Sequence, residues 1–171
     1  MLENQVRSIF LGIGSNLGNR IHNIEKAKLL LESKNIVKIK KTSSYYKSLS
    51  WPNPKKPYFF NIVVECSTKS SPLNLLKHIK KIETLLGRTN APKNSPRTCD
   101  IDILDFQQKS LKIKDEKFNI NIPHPRLHLR NFVLLPLFEI KKNWIHPVKN
   151  KKISVLLNNL GPTSLRTIKI L

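Results

Sequence analysis

The stretch Arg97-Thr98-Cys99-Asp100-Ile101-Asp102-Ile103-Leu104 places two carboxylates two residues apart inside an apolar run that is typical of a β-strand. Because successive strand side chains point to opposite faces, Asp100 and Asp102 share one face. The alternate side chains share the other face, which we expect to be the core: Cys99, Ile101 and Ile103. Carboxylates at this spacing lie about 6.5 to 7 Å apart at the backbone and can hold one Mg²⁺ or bridge a pair. On spacing alone, two acids on a solvated strand face are an equal alternative.

The length and composition predict one ordinary domain. The chain has 171 residues, so we expect a single domain over residues 1–171 with a buried core. No apolar run approaches the roughly 20 residues that cross a bilayer, and the N-terminal segment Met1–Arg7 lacks the pattern of a signal peptide. We therefore expect a cytoplasmic location and no membrane partner, and a monomer is the expected state. Cys66 and Cys99 form no Cys-x-x-Cys pattern and are expected in the core.

The formal net charge of +20 is the most unusual feature of the composition. A basic surface attracts nucleic acids, anionic membranes or small molecules that carry phosphate. The lysines, however, are scattered through nearly every segment among asparagines and isoleucines, and they form no single stripe. A general enrichment in Lys, Asn and Ile on solvated faces explains this pattern, and nucleic-acid binding stays open as a rival function.

The order of the predicted elements is βαββαβ. These elements are a strand at 8–13, a helix at 20–33, strands at 36–46 and 58–67, a helix at 72–86 and the strand that contains Asp100. This order predicts an α+β fold with a ferredoxin-like βαββαβ core, in which two helices cover one face of a mostly antiparallel sheet. Beyond Phe106 we predict a returning strand at 110–113, an extended segment at 122–126 and helices at 130–140 and 153–160.

Four short motifs occur in order along these elements. They are Gly14-Ser15-Asn16-Leu17-Gly18, Pro57-Tyr58-Phe59-Phe60-Asn61, Gly87-Arg88 with Pro96-Arg97-Thr98-Cys99-Asp100-Ile101-Asp102, and Pro123-His124-Pro125 with Arg130-Asn131-Phe132-Val133-Leu134. Each motif alone is a weak signal, whereas all four in this order are specific. Together they resemble the 6-hydroxymethyl-7,8-dihydropterin pyrophosphokinases of folate biosynthesis, over nearly the full length of the chain.

The resemblance implies a Mg²⁺-dependent transferase. Enzymes of that family move the β,γ-pyrophosphoryl group of ATP to the hydroxymethyl oxygen of the pterin and release AMP, on a ferredoxin-like sheet with two Mg²⁺ ions. The substrate hydroxyl attacks the β-phosphorus in line, so no protein nucleophile is needed. The implied partners are ATP and 6-hydroxymethyl-7,8-dihydropterin.

The resemblance also implies roles for particular residues of this chain. Asp100 and Asp102 would hold both Mg²⁺ ions, and with Arg88 and Arg97 they form the expected catalytic set. The implied ATP-binding residues are Arg88, Arg97, His124, Arg130, Glu83 and Ile103. The implied pterin-binding residues are Ser48, Leu49, Trp51, Phe59, Asn61, Asp100 and Phe132, with the two phenylalanines on either side of the pterin.

Each of these residues has a plainer interpretation. Phe59 and Phe132 are also ordinary aromatic core residues, His124 between prolines is also a turn residue, and Arg88 also complements a helix C-terminus. Only the two aspartates have a case that does not depend on the resemblance.

The chain departs from the family pattern in two places. Asn90 and Asn94-Ser95 stand where the family commonly has a second arginine and Trp-Gly, which predicts a shorter, less basic lid over ATP and weakened activity. Ser48-Leu49 replaces a Thr-Pro or Glu-Pro pair in the pterin loop, where mostly backbone contacts are implied.

The rival function is a basic RNA-binding module built on a similar sheet. Such modules stack bases on aromatic residues of the two central strands, whereas the last strand of this βαββαβ unit carries aspartates that repel a phosphate backbone. We therefore expect no specific nucleic-acid partner. Any binding should be indifferent to sequence and lost between about 50 and 200 mM salt.

Overall fold

The computed structural model describes residues 5–50, 53–88, 92 and 95–171. In these residues the elements are β1 (Arg7–Ser15), α1 (Arg20–Glu32), β2 (Val37–Thr42), β3 (Tyr46–Ser48), β4 (Phe59–Thr68), α2 (Pro72–Leu85), β5 (Asp100–Phe106), β6 (Leu111–Lys114), β7 (Asn119–Ile122), a 3₁₀ turn (Leu127–Leu129), α3 (Asn131–Ile140), α4 (Ile153–Arg166) and β8 (Ile168–Ile170). The predicted βαββαβ order is present in the first part of the chain.

The main sheet has the strand order β5-β1-β4-β3-β8, with β2 also paired to β4. All of these pairs are antiparallel. The predicted α+β fold is confirmed, and the strand order is compatible with a ferredoxin-like core. The predicted strand at 110–113 is also present, as β6, and it forms a separate hairpin with β7.

The single strand predicted at 36–46 is wrong in one respect, because the structure has two strands there. The break falls at Ser43, whose hydroxyl oxygen accepts the Val63 N–H at 2.9 Å, where a backbone carbonyl would accept in a regular ladder. After the break, Ser44 donates its N–H to the Glu139 carboxylate at 2.9 Å. A side chain from α3 thus takes the place of a strand partner.

The two helices of the βαββαβ unit, α1 and α2, cover one face of the sheet as predicted, and α3 and α4 add a second layer on the other face. The core under α1 and α2 is built from alternate strand residues such as Ile9, Ile13 and Ile101. The residues between them, such as Phe10 and Leu104, point to the other face and pack against α3 and α4. Strand β5 is the clearest example, because its aspartates lie on the α3 face.

The prediction for the core side of β5 is confirmed. Cys99, Ile101 and Ile103 are all buried, and the free cysteines Cys66 and Cys99 both lie in the core under α1 and α2. Burial raises the pKa of each thiol to about 12, so neither is a nucleophile at neutral pH. None of the helices in the described ranges is long and apolar enough to cross a membrane.

Candidate active site

A cavity of about 470 Å³ opens at one end of the sheet. Its walls come from the ends of β1 and β3, the starts of β4 and β5, and the segment that leads into α3. The predicted site residues that line it are Ser48, Leu49, Phe59, Asn61, Arg88, Arg97, Asp100, Asp102, His124, Arg130 and Phe132. Trp51, Asn90 and Asn94 lie outside the described residues.

Arginine side chains pair with both aspartates on the cavity wall. Asp100 Oδ1 accepts hydrogen bonds from Arg88 Nη1 at 2.7 Å and lies 3.1 Å from Arg97 Nη1. Asp102 Oδ2 accepts from Arg130 Nη1 at 3.3 Å. The aspartate side chains are 27% and 44% exposed, so both can reach a ligand in the cavity. The solvated-face alternative therefore does not describe this strand, because the acids face a cavity ringed by cations.

Glu83 and Ile103 do not line the cavity. The Ile103 side chain is buried in the core, because it points away from the face that carries the aspartates. The Glu83 side chain is 1% exposed and holds two cations that do line the cavity, Arg88 at 2.6 Å and Lys80 at 2.7 Å. Its second role is to accept the Ile101 N–H at 2.9 Å. Glu83 thus lies behind the cavity wall and orients its cations.

Two phenylalanines and one amide line the other half of the cavity. Phe59 and Phe132 are half-buried, and Asn61 is buried with its Nδ2 donating to Ser48 Oγ at 2.9 Å. Gly14 on β1 is paired with both Asn61 and Asp100. A Cβ at Gly14 would lie 2.7 Å from Asn61 Oδ1, so any other residue there would displace the Asn61 carboxamide.

The family model that describes 7,8-dihydro-6-hydroxymethylpterin-pyrophosphokinase (HPPK) matches residues 10–142 of this chain. The chain belongs to the HPPK family. It is 38% identical over 146 residues to a pyrophosphokinase of Aquifex aeolicus that bears the corresponding name, which covers 85% of this chain and 88% of that protein. The corresponding protein of Bacillus subtilis is 36% identical over 131 residues, covering 77% of this chain and 76% of that protein.

A solved HPPK-DHPS structure of Plasmodium falciparum with pteroate has the same fold. It aligns with a TM-score of 0.77 and 18% identity over 98% of this chain and 47% of that chain. The present chain therefore spans about half the length of that longer protein. The chain is an enzyme of the HPPK family, and the cavity is its candidate active site.

Asn16 is a buried positioning residue beside the cavity that sequence analysis missed. Its side chain accepts the Arg97 N–H at 2.7 Å while donating to the Pro57 carbonyl at 3.2 Å. Its own N–H donates to the Arg97 carbonyl at 3.2 Å. Asn16 thus joins the segment before β5 to the loop before β4. The only signal in the sequence was its place in a glycine-flanked turn, and that signal does not predict which residues it hydrogen-bonds.

His124 is neutral in this HPPK. Burial and the charges of Arg130 and Arg126 lower its pKa to about 4. Its Nδ1 accepts the Arg126 N–H at 3.0 Å, and its Nε2 lies 3.3 Å from Arg130 Nη2. Because Nδ1 accepts that N–H, the neutral ring holds its proton on Nε2, so it cannot accept from the Arg130 guanidinium, and it carries no charge of its own at neutral pH.

The donor set suits Mg²⁺ bound together with a nucleotide. Within the ranges that the structure describes, no group of three or more His, Cys, Asp or Glu side chains could hold a metal ion. Mg²⁺ is commonly bound by one or two carboxylates, substrate phosphates and water, and does not need a complete protein cage. Asp100 and Asp102 supply such a pair, since both line the cavity from one face of β5.

Proposed function

We propose that this chain transfers the pyrophosphoryl group of ATP to the hydroxyl of 6-hydroxymethyl-7,8-dihydropterin, in a reaction that needs Mg²⁺ and releases AMP. The observation that carries the proposal is the division of one cavity into two halves. One half holds two carboxylates among arginines, and the other holds two aromatic rings and an oriented amide. Membership of the HPPK family supports the same assignment.

The cationic half suits the triphosphate of ATP. Arg88, Arg97 and Arg130 already lie within hydrogen-bonding or ion-pairing distance of the aspartates, so they can move to phosphate oxygens over a short distance. Guanidinium groups bind phosphate through paired, charge-assisted hydrogen bonds. Mg²⁺ held by Asp100 and Asp102 would neutralise phosphate charge and make the β-phosphorus more electrophilic.

The aromatic half suits a flat heterocycle with donors and acceptors at its edge. Phe59 and Phe132 offer ring surface for stacking, and Asn61 offers a carboxamide whose orientation Ser48 fixes. Because Gly14 pairs with Asn61 on one side and with Asp100 on the other, one strand separates the two halves. Substrates bound in both halves would lie side by side, as transfer between them requires.

The rival RNA-binding function would need an open sheet face, and helices cover both faces of this sheet. RNA-recognition sheets leave one face open for bases, whereas α1 and α2 cover one face of this sheet and α3 and α4 cover the other. A cytoplasmic location, a monomeric state and the absence of a specific nucleic-acid partner stay predictions.

The proposed activity is tested by separating the adenine nucleotides after incubation with ATP, Mg²⁺ and the pterin. We expect AMP to form only when all three are present. Formation of ADP, or AMP formation that does not require the pterin, would contradict the proposal.

Gly14→Ala is expected to weaken pterin binding about tenfold, because the new Cβ would displace the Asn61 carboxamide and cost at least one oriented hydrogen bond. ATP binding should change little. The comparison variant is Gly12→Ala on the same strand, which also lines the cavity but whose Cβ would have side-chain atoms of Leu104, from 3.4 Å, as its nearest neighbours. Pterin titrations of both variants, followed by fluorescence, measure the difference, and equal affinities would show that the Asn61 amide is not a pterin contact.

Mg²⁺ binding is expected to weaken as the pH falls through about 6. Desolvation at the cavity wall and the adjacent Asp100 carboxylate raise the pKa of Asp102 to about 6, so protons compete with the metal below that pH. Without metal, the folded state binds this proton more tightly than the unfolded state, so the carboxyl lowers stability as the pH rises towards 6.

The measurement is the increase in melting temperature at a fixed Mg²⁺ concentration, at about pH 5.5 and about pH 7.5. We expect the larger increase at the higher pH. In Asp102→Asn, the increase in melting temperature with Mg²⁺ should be small at both pH values. An increase that does not depend on pH in the unmodified protein would mean that Asp102 does not hold the metal.

A further inference from the structure

The last segment of the chain contacts both sides of the aromatic half of the cavity. We call residues 162–170 the C-terminal strap. It begins where α4 bends at Gly161, which has φ of 72° and ψ of 163°, and it runs through the end of α4 into β8. The strap lies beyond residues 10–142, the part that matches the family model.

The first contact of the strap is a strand pairing. β8 pairs with β3, with Ser48 opposite Ile168 and Tyr46 opposite Ile170. On its other side β3 pairs with β4, where Ser48 is opposite Phe59. β3 has three residues, and so short a strand is only marginally stable when it is paired on one side. Pairing with β8 therefore fixes Ser48, the residue that orients the Asn61 carboxamide.

The second contact of the strap is with the start of α3. Asn131 donates its Nδ2 hydrogens to the Ser164 carbonyl at 2.6 Å and to Thr167 Oγ1 at 3.0 Å. The Thr167 hydroxyl in turn donates to the same Ser164 carbonyl at 2.7 Å. The Ncap residue of α3, Arg130, makes no hydrogen bond through its side chain to cap the helix. The start of α3 is thus held by the strap.

Asn131 lies in the chain between two residues that line the cavity. Phe132, which follows it, lines the aromatic half of the cavity, whereas Arg130, which precedes it, lines the cationic half. Arg130 has its own anchor in Asp102, whose Oδ2 accepts from Arg130 Nη1 at 3.3 Å. Loosening the strap should therefore displace Phe132 more than Arg130.

We propose that the C-terminal strap is a positioning element for the pterin half of the site, with Asn131 as its main positioning residue. Through β8 it sets Ser48 and the Asn61 amide, and through Asn131 it sets Phe132. The identity of the ligand rests on the proposed function. The strap holds both β3 and the start of α3 in place, so weakening it lowers pterin affinity and leaves ATP affinity nearly unchanged.

Four variants separate positioning from general stability. Asn131→Ala removes the donor, and Thr167→Val removes the hydroxyl at nearly constant shape. Thr167→Ser keeps the hydroxyl and should restore binding. Thr163→Val is the matched control, since Thr163 is exposed on the same segment, whereas the Asn131 side chain donates to Ser164 and Thr167.

We expect Asn131→Ala to raise the pterin dissociation constant about fivefold or more, the effect of at least one lost hydrogen bond, and Thr167→Val to raise it by a smaller factor. The ATP dissociation constant should change by less than about twofold, which is below the effect of one hydrogen bond. Thr167→Ser and Thr163→Val should bind both ligands as the unmodified protein does. Equal weakening of both ligands by Asn131→Ala, or a lower melting temperature with both affinities unchanged, would overturn the proposal.

Hydrogen exchange gives a second measurement that does not depend on activity. Asn131→Ala should speed amide exchange in β3 and in the first turn of α3, while α1 and α2 exchange as before. Unchanged exchange at β3 and α3 would overturn the proposal. If the unmodified protein neither binds the pterin nor releases AMP, the proposed function fails. The exchange experiment alone then decides whether the strap orders β3 and the start of α3.

Discussion

Asp102→Asn is expected to lower pyrophosphoryl transfer roughly a thousandfold, because a metal ion contributes several kcal/mol of charge stabilisation and each 1.36 kcal/mol is a factor of ten. Asp100→Asn should have a similar effect. The fold should be retained, since both side chains lie on the cavity wall and contribute no core packing. Initial rates of AMP release, with melting temperatures measured alongside, provide the test.

Asp105→Asn is the matched control on the same strand. Asp105 is buried away from the cavity, where its Oδ2 accepts the Trp144 Nε1–H at 2.5 Å and its Oδ1 accepts the Gln108 N–H at 2.6 Å. Its replacement should lower the melting temperature and leave the rate close to that of the unmodified protein. Near-normal AMP release from either Asp100→Asn or Asp102→Asn would show that the assigned metal ligands are wrong.

Phe132→Ala is expected to raise the pterin dissociation constant by roughly tenfold or more, since stacking contributes about 1 kcal/mol beyond the burial of apolar area. The ATP dissociation constant should change much less. Phe138→Ala on the same helix is the control, because Phe138 packs against the core under α3 and α4 and does not line the cavity. It should lower stability without affecting pterin affinity. Equal loss of affinity for both ligands in Phe132→Ala would identify Phe132 as a core residue instead.

The elements that sequence could predict are those with a strong local pattern. Helix α2 has an N-cap at Ser71 and proline in the first turn, and its apolar residues recur at helical spacing, so its bounds differ little from the prediction. Strand β5 alternates between Ile and Asp, which correctly placed Ile101 in the core and the acids on the opposite face.

The elements that sequence could not predict depend on contacts far along the chain. The break at Ser43 depends on Val63 and Glu139, which no local pattern at 36–46 reveals. The strand β8 has three residues and exists because β3 offers it an unpaired edge. The second helical layer escaped prediction because the βαββαβ order says nothing about where the later helices pack.

The candidate site shows the same division. Residues inside the quoted motifs, such as Asp100 and Phe132, do line the cavity. The sequence could not predict that Glu83 would lie behind the wall, because this depends on the direction in which α2 crosses β5. Lys80 also lines the cavity, three residues before Glu83, but a Lys and a Glu at i and i+3 are equally typical of a surface salt bridge, so the sequence does not mark Lys80 as a cavity residue.

The central claim is that two phosphoryl groups move together from ATP to the pterin. ATP labelled at its β-phosphorus tests this claim most directly, because pyrophosphoryl transfer breaks the bond between the β-phosphorus and the oxygen that bridges it to the α-phosphorus, so that oxygen stays with AMP and the label leaves with the pterin. The account predicts that the label appears in a pterin diphosphate and that the AMP released is unlabelled. Label retained in ADP, or recovered only as free phosphate, would contradict it.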